Sequence, residues 1–314
     1  AGCAVVVKPA QATPLTSIAF FRLLERVELA TGQVNLVLGD AAAIGAALCE
    51  HEAVRIVSFT GSTSVGRHLA AQAAPRLKRL ALELGGNAPF VVFADADLDA
   101  AAAGLVANKF RAAGQTCVCT NRVLVQDSVA DAFTERLAAR VAKLVTGPGT
   151  QPGVDIGPLL DGGAWDKVRA HLDDALSGGA RVVQGAAPKR RPTEASGWFF
   201  EPVVLRDVPE GALCLREETF GPLVPITTFT SEAEALRMAN DTDAGLAAYV
   251  FTGDPACGER MVAGLRFGHV GYNTAAGPTP EAPFGGMRQS GFGREGGEEG
   301  LLEFAETQTV PTPR

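Results

Sequence analysis

Short β-branched runs that alternate with helix-patterned stretches constrain this chain more than any other feature. Residues 4–7 read AVVV before Lys8 and Pro9, a continuous apolar run that predicts a strand buried on both faces. A helix is predicted next, with Thr13 as its cap and Pro14 in its first turn. Leu15, Ile18, Phe21, Leu24 and Val27 form its apolar face, and Gly32 stops it. Residues 34–38 and 56–59 read as further strands, with a helix over 41–49 between them. Such alternation points to an α/β fold, a parallel sheet joined by right-handed crossovers. The 36 glycines suit its tight loops, and 314 residues exceed the ~100–200 of one domain, so two domains are expected.

Charge and composition narrow the partners. The chain carries 28 basic and 35 acidic residues, a formal charge of −7, and no basic stripe interleaved with aromatics, so nucleic acid is not an expected partner. No apolar run approaches the ~20 residues of a membrane span, and residues 1–7 lack the basic start of a signal peptide; a cytoplasmic location is expected, with no membrane partner. Cys3, Cys49, Cys117, Cys119, Cys214 and Cys257 form no dense disulfide framework and suit a reducing compartment. AGCAVVVKP has no initiator methionine and runs directly into a strand, so the chain reads as cut within its fold at the N-terminus.

Three stretches carry chemistry. GSTSVG at 61–66 follows a predicted strand and opens a helix to about Ala74. Ser62 and Thr63 stand where the GxGxxG fingerprint would put its second glycine, so the stretch fits a pyrophosphate cradle or a plain capped helix. Gly291, Gly293 and Gly296 do spell GxGxxG, but no strand leads into them and too little chain follows for a βαβ unit. RLALELGG at 79–86 places Glu83 at a strand end, ahead of a strand in NAPFVVF and a helix opened by Asp95. GQTCVCTNR at 114–122 then presents Cys117 after that helix. A thiol, a strand-end carboxylate and a phosphate cradle together suit oxidation of an aldehyde through a thioester. GxSxG is absent, and His51, His68, His171 and His269 are scattered singly. CVC has no partner pair at zinc spacing, so no metal site is expected.

Taken together, LELGGNAP at 82–89, FRAAGQTCVCTNR at 110–122, EETFGP at 217–222 and PFGGMRQSGFGREG at 283–296 resemble the aldehyde dehydrogenase superfamily. FTGSTSVGR at 59–67 is similar to its cofactor loop. The likeness runs in the family's order along the whole chain and covers about the last two thirds of a usual member. It implies a partial Rossmann-type NAD(P)-binding domain over 1–85, an α/β catalytic domain over 86–288 and a C-terminal return and oligomerisation segment over 289–314. Cys117 would be the nucleophile and Glu83 the general base. Lys8, Gln11, Gly61, Ser62 and Val65 would bind the NAD or NADP cofactor, together with Glu218 on the nicotinamide ribose and Phe220 beside it.

Within the superfamily, the stretch around Cys117 is most similar to succinate-semialdehyde dehydrogenases, which also carry the second cysteine and an arginine six residues before the nucleophile. That arginine is Arg111, able to hold a distal carboxylate with two parallel hydrogen bonds. The loop AAGPTPEAP at 275–283 lacks the expected serine pair, leaving Thr279 as a hydroxyl donor, with Phe284 beyond it. Cys119 suggests a redox disulfide with Cys117. Two departures stand out. The family's oxyanion-stabilising asparagine belongs to a motif ahead of Ala1, which leaves backbone donors near Cys117 and an alternative reading as a catalytically silent chain with a structural role. Gln11 occupies a position where many NAD-preferring relatives carry glutamate, and its neutral side chain permits NADP. The tail over 301–310 resembles the family strand that pairs with another subunit, so a homodimer or homotetramer is expected.

Overall fold

In the computed structural model, which describes residues 1–313, the β-branched runs become strands and the periodic stretches become helices, divided between two units. The first contains Ala1–Glu83, Pro280–Pro283 and the chain from Phe292 onward; the second contains Leu84–Thr279 and Phe284–Gly291.

In the first unit the order is β1 (Val5–Val7), α1 (Leu15–Leu24), β2 (Val34–Leu36), α2 (Ala41–Glu50), β3 (Ile56–Thr60), α3 (Thr63–Ala73) and β4 (Arg79–Glu83). β1 lies parallel to β2, and β3 lies parallel to β4 with Thr60 opposite Glu83. The predicted burial of the first strand is not observed: Val5 and Val6 are 44% and 46% exposed. β1 has only β2 beside it and α1 buries no residue, so no layer covers both faces of the pair. Thr13 does not cap α1 either; Pro14 takes that place without a side-chain bond, and the helix ends at Leu24 rather than continuing to Gly32. Better signals serve α2 and α3, whose first turns are held by the Asp40 carboxylate and the Ser62 hydroxyl. A small core of Cys49, Val57, Leu69 and Ala73 joins these two helices to β3.

The second unit runs β5 (Ala88–Val92), α4 (Leu98–Lys109), β6 (Thr120–Gln126), α5 (Ala130–Val141), α6 (Gly162–Ser177), β7 (Arg181–Gln184), β8 (Val203–Arg206), α7 (Leu213–Arg216), β9 (Leu223–Phe229), α8 (Glu232–Asn240), β10 (Ala247–Phe251), α9 (Pro255–Gly264) and β11 (His269–Tyr272). Among the described residues these strands form a seven-stranded sheet in the order β11-β10-β5-β6-β9-β8-β7, parallel except for the antiparallel edge strand β7. β5, β8 and β10 are buried along their whole length, the pattern of parallel strands covered on both faces. Phe90 stacks on Phe251 at 4.9 Å between ring centroids and tilts against Tyr249 at 6.1 Å. Each such buried aromatic contributes about 1.5–3 kcal/mol by leaving water.

Helix α4 starts two residues later than its sequence suggests. Asp97, not Asp95, accepts from the Asp99 and Ala100 amides, while the Asp95 carboxylate takes the Thr252 hydroxyl. In the first unit, α10 (Gly297–Leu302) ends the regular structure, and 303–313 form no strand. A lone strand has no neighbour to satisfy its backbone, so the family resemblance of this tail is not expressed as a strand in the single chain.

Candidate active site

Cys117 sits, half-buried, in a tight turn between α4 and β6. The chain leaves α4 at Lys109 and passes through Ala112 and Ala113, both left-handed at φ of +49° and +57°. Such angles cost a non-glycine residue about 1–2 kcal/mol each, strain that the surrounding packing must hold. Three bonds then close the turn. The Cys119 amide donates to the Thr116 carbonyl at 3.0 Å, the Cys119 thiol donates to the Asn108 carbonyl at 3.0 Å, and the buried Tyr249 hydroxyl donates to the Val118 carbonyl at 2.8 Å. Cys119 Sγ also lies 2.7 Å from Thr116 Oγ1.

The segment LGGN at 84–87 joins the cysteine turn to the Glu218 loop. A Cβ on Gly86 would run into the Cys117 carbonyl oxygen, so only glycine lets the two backbones approach this closely. On its other side, the Gly86 amide donates to Glu218 Oε1 at 3.0 Å. Burial pushes the Glu218 carboxyl above its ordinary range, opposed by that amide and by Lys167 and Lys109. The same segment is pinned from below: the fully buried Ser290 hydroxyl donates to the Gly85 carbonyl at 2.7 Å and accepts from the Gly245 amide at 2.9 Å.

The residues after Cys117 form a scaffold. Asn121 donates to Asn87 Oδ1 at 2.7 Å and to the Glu217 carbonyl at 2.8 Å, and accepts from the Thr219 amide at 2.9 Å, which holds both sides of Glu218. Arg122 is buried and donates to the carbonyls of Asn87, Met238 and Ala239; burial lowers it to about 10. Phe220, at φ +54°, turns the loop, and Gly221 packs so closely on Gly114 and on Val168 that a Cβ on either glycine would collide. The TNR and EETFGP motifs thus fix Glu218 relative to Cys117.

Arg111 lines a cavity of about 320 Å³ with Gly104, Ala107, Asn108 and residues 274–277. No carboxylate among the described residues forms an ion pair with its guanidinium, and a Cβ on Gly277 would stand 3.6 Å from its Nη1. Thr279 and Phe284 are not on this wall. Thr279 is exposed and Phe284 packs edge-on against His269 at 6.2 Å, while Thr274, on the wall, accepts from the Ala276 amide at 3.2 Å.

The remaining candidates lie in the first unit. Glu83 ends β4 and is 5% exposed, and its carbonyl accepts from the Gly61 amide at 3.0 Å. Ser62 Oγ accepts from the Val65 amide at 3.4 Å and lies 3.1 Å from Ser64 Oγ, so it caps α3. Val65 is 44% exposed, leaving the helix start open to an anion. Lys8 Nζ donates to the Pro9 carbonyl at 2.6 Å, and Gln11 is exposed. An open helix start and an ammonium suit a dinucleotide's phosphates and ribose, and in the second unit Glu218 offers a carboxylate for a ribose hydroxyl. Among the described residues no cluster of three His, Cys, Asp or Glu side chains is placed to hold a metal ion.

Asn108, Tyr249, Ser290 and Lys109 escape a sequence reading. Lys109 ends α4 with 1% of its surface exposed, and burial lowers it to about 8 against the pull of Cys119, Cys214 and Glu218. Its only local signal is a lysine inside an otherwise apolar helical run.

These features agree with the comparisons. Residues 1–310 match the aldehyde dehydrogenase family. The chain is 48% identical over 306 residues to glutarate-semialdehyde dehydrogenase of Pseudomonas aeruginosa and 49% identical over 306 residues to the succinate-semialdehyde dehydrogenase (NADP(+)) GabD of Escherichia coli. Each alignment covers 98% of this chain but only 62% and 63% of the relative, so the chain spans less than two thirds of these proteins' length. A crystal structure of an oxidoreductase from Marinobacter aquaeolei superposes with a TM-score of 0.97 at 57% identity, covering 100% of this chain and 64% of that one. With the cysteine turn, the clamped Glu218 loop and a match along nearly its whole length, the chain belongs to the aldehyde dehydrogenase family.

Proposed function

We propose that this protein oxidises an aldehyde bearing a distal acidic group, such as succinate or glutarate semialdehyde, to the carboxylate with NAD or NADP. The observation that carries this reading is Gly86, which seats the Cys117 backbone on one side and holds the Glu218 carboxylate on the other. The Cys117 thiolate adds to the aldehyde carbon and forms a thiohemiacetal; loss of hydride leaves a thioester. Bound nicotinamide supplies the hydride acceptor. Lys8, Gln11, Gly61, Ser62 and Val65 would hold the dinucleotide, with Glu218 on a ribose hydroxyl and Phe220 beside it. Glu83 then takes a proton from water, whose oxygen attacks the thioester and releases the acid and the thiolate. Arg111 receives the distal acid group through its unpaired guanidinium, and Thr279 and Phe284 border the substrate's path. In the same reading 1–85 serve the cofactor, 86–288 the chemistry and 289–314 association.

Absorbance at the nicotinamide band, with each semialdehyde and each cofactor, tests this on the chain as it stands. Turnover is expected that Cys117→Ala abolishes; no difference between the two proteins overturns the assignment. Arg111→Gln is expected to raise KM for the acidic aldehydes about 10–100-fold while leaving a neutral aldehyde within about twofold. Cys119 carries a redox role in this reading, and peroxide inactivation that is unchanged in Cys119→Ser would remove it.

A cytoplasmic homodimer or homotetramer completes the reading. No helix among the described residues is long and apolar enough to cross a membrane, and Leu301, Leu302 and Val310 expose apolar surface near the C-terminus. Light scattering that returns a monomer counts against the assembly.

A further inference from the structure

We propose that Asn108 is a positioning residue that sets the wall of the Arg111 cavity against the cysteine strand, and so the fit of an acidic ligand. The proposal deepens the acidic-aldehyde reading and rests on it for the identity of the ligand. Asn108 lies in the last turn of α4, 8% exposed, three residues before Arg111. Its side chain reaches two elements remote in sequence. Oδ1 accepts from the Thr120 amide at 2.7 Å and from the Thr120 hydroxyl at 2.9 Å, where β6 begins beyond Cys117. Nδ2 donates to the Ala275 carbonyl at 3.2 Å, in the loop that forms the opposite wall of the cavity.

The orientation of this amide follows from its partners. A backbone N–H can only donate, so the atom facing Thr120 is oxygen, and the atom facing the Ala275 carbonyl must be the NH₂. Residues 274–277 belong to no helix or strand and have no ladder to hold them. Two side chains from outside the loop bond its carbonyls: Asn108 at Ala275 and His269, whose Nε2 lies 3.1 Å from the Ala276 oxygen. A Cβ on Gly277 would stand 3.6 Å from Arg111 Nη1, so any shift of this loop changes the room in front of the guanidinium. One amide therefore couples the strand behind the nucleophile to the surface that meets the substrate's far end.

Asn108→Asp isolates the donor. The carboxylate keeps an oxygen for Thr120 but sets the other against the Ala275 carbonyl, which expels the loop. Burial raises the pKa of such a carboxyl, and once protonated it can donate to Ala275 again. The titratable groups around it are the Cys119 thiol from the adjoining turn, the Tyr249 hydroxyl from β10, and Lys109 and Arg111 at its own helix end. Lys109 and Arg111 favour the carboxylate, so restoration belongs at mildly acid pH.

Two measurements test the proposal on the whole chain: calorimetric titration with succinate, and amide exchange over 270–279 corrected for intrinsic rates. At about pH 8, Asn108→Asp is expected to bind succinate about tenfold more weakly than the unaltered protein and to exchange faster in this loop. At about pH 5.5, both differences should shrink to within about threefold, whereas Arg111→Gln stays without binding at either pH. Succinate binding and loop exchange that match the unaltered protein at pH near 8 overturn the proposal, as does a defect that persists unchanged in acid. If the unaltered protein takes up no succinate, the acidic-ligand reading fails, and the exchange data alone then decide whether Asn108 holds the loop.

Discussion

At the scale of single residues, the site depends on groups whose absence or burial matters more than their reactivity. Gly86 is the sharpest case, because a methyl there meets the Cys117 carbonyl rather than a yielding side chain. Gly86→Ala is expected to lower stability by about 1–3 kcal/mol and to change the rate at which iodoacetamide alkylates Cys117, read by denaturation and by mass spectrometry. An unchanged alkylation rate would mean that the turn absorbs the methyl elsewhere. Lys109 makes a different prediction. Its folded pKa is lowered to about 8 from an ordinary 10.5, so between these values the unfolded chain binds more protons and stability rises with pH. Below about pH 8 the buried ammonium imposes its full cost, on the order of 3 kcal/mol. Lys109→Met should therefore be the more stable protein at neutral pH, with an advantage that shrinks as pH climbs from about 8 to about 10.5; a pH-independent difference would contradict this. No local pattern announces either residue, since a glycine pair before a strand and a lysine at a helix end are both ordinary.

Among the elements, local periodicity was a good guide to identity and a poor one to burial. Leu15, Ile18, Phe21 and Leu24 do share a helix, as their spacing predicts, yet α1 buries none of them. Spacing shows that a helix has an apolar face and says nothing of whether another layer lies on it. The same holds for β1, whose valines predict a buried strand but meet only β2. The capped-helix reading at 61–66 is met by the Ser62 hydroxyl, whereas the expected helix start at Asp95 missed by two residues because DADLD offers a choice of aspartates. Amide exchange should follow burial rather than periodicity. Amides of α1 and β1 are expected to exchange at least about 100-fold faster than those of β5 and β6, and equal protection would show that α1 is held by something other than its own unit's core.

For the whole molecule, the two units differ in how much they bury. The second unit has an extended core that runs from Ala88 to Phe251, while the buried cluster of the first comprises Cys49, Val57, Leu69 and Ala73. The first unit should accordingly unfold at lower denaturant. Two cysteines report on this directly: Cys49 is buried in the first unit, and Cys214 is buried in the second, its thiol pushed up to about 12. In pulsed alkylation Cys49 should become reactive at a urea concentration about 1 M or more below that for Cys214, and coincident labelling would mean that the units unfold as one.

The α/β class, most strand and helix identities and the motifs that place the chain in its family were legible in the linear order of residues. Periodicity, capping and the chemistry of a side chain are properties of neighbours along the chain. The order of the seven-stranded sheet was not, nor was the meeting of Cys117 and Glu218 at Gly86. Least visible was the reach of Asn108 to the loop 167 residues away that faces Arg111. These depend on which distant surfaces pack together, and a contact between positions so far apart is set by the burial and close packing of the folded chain, which leave no mark on either local sequence.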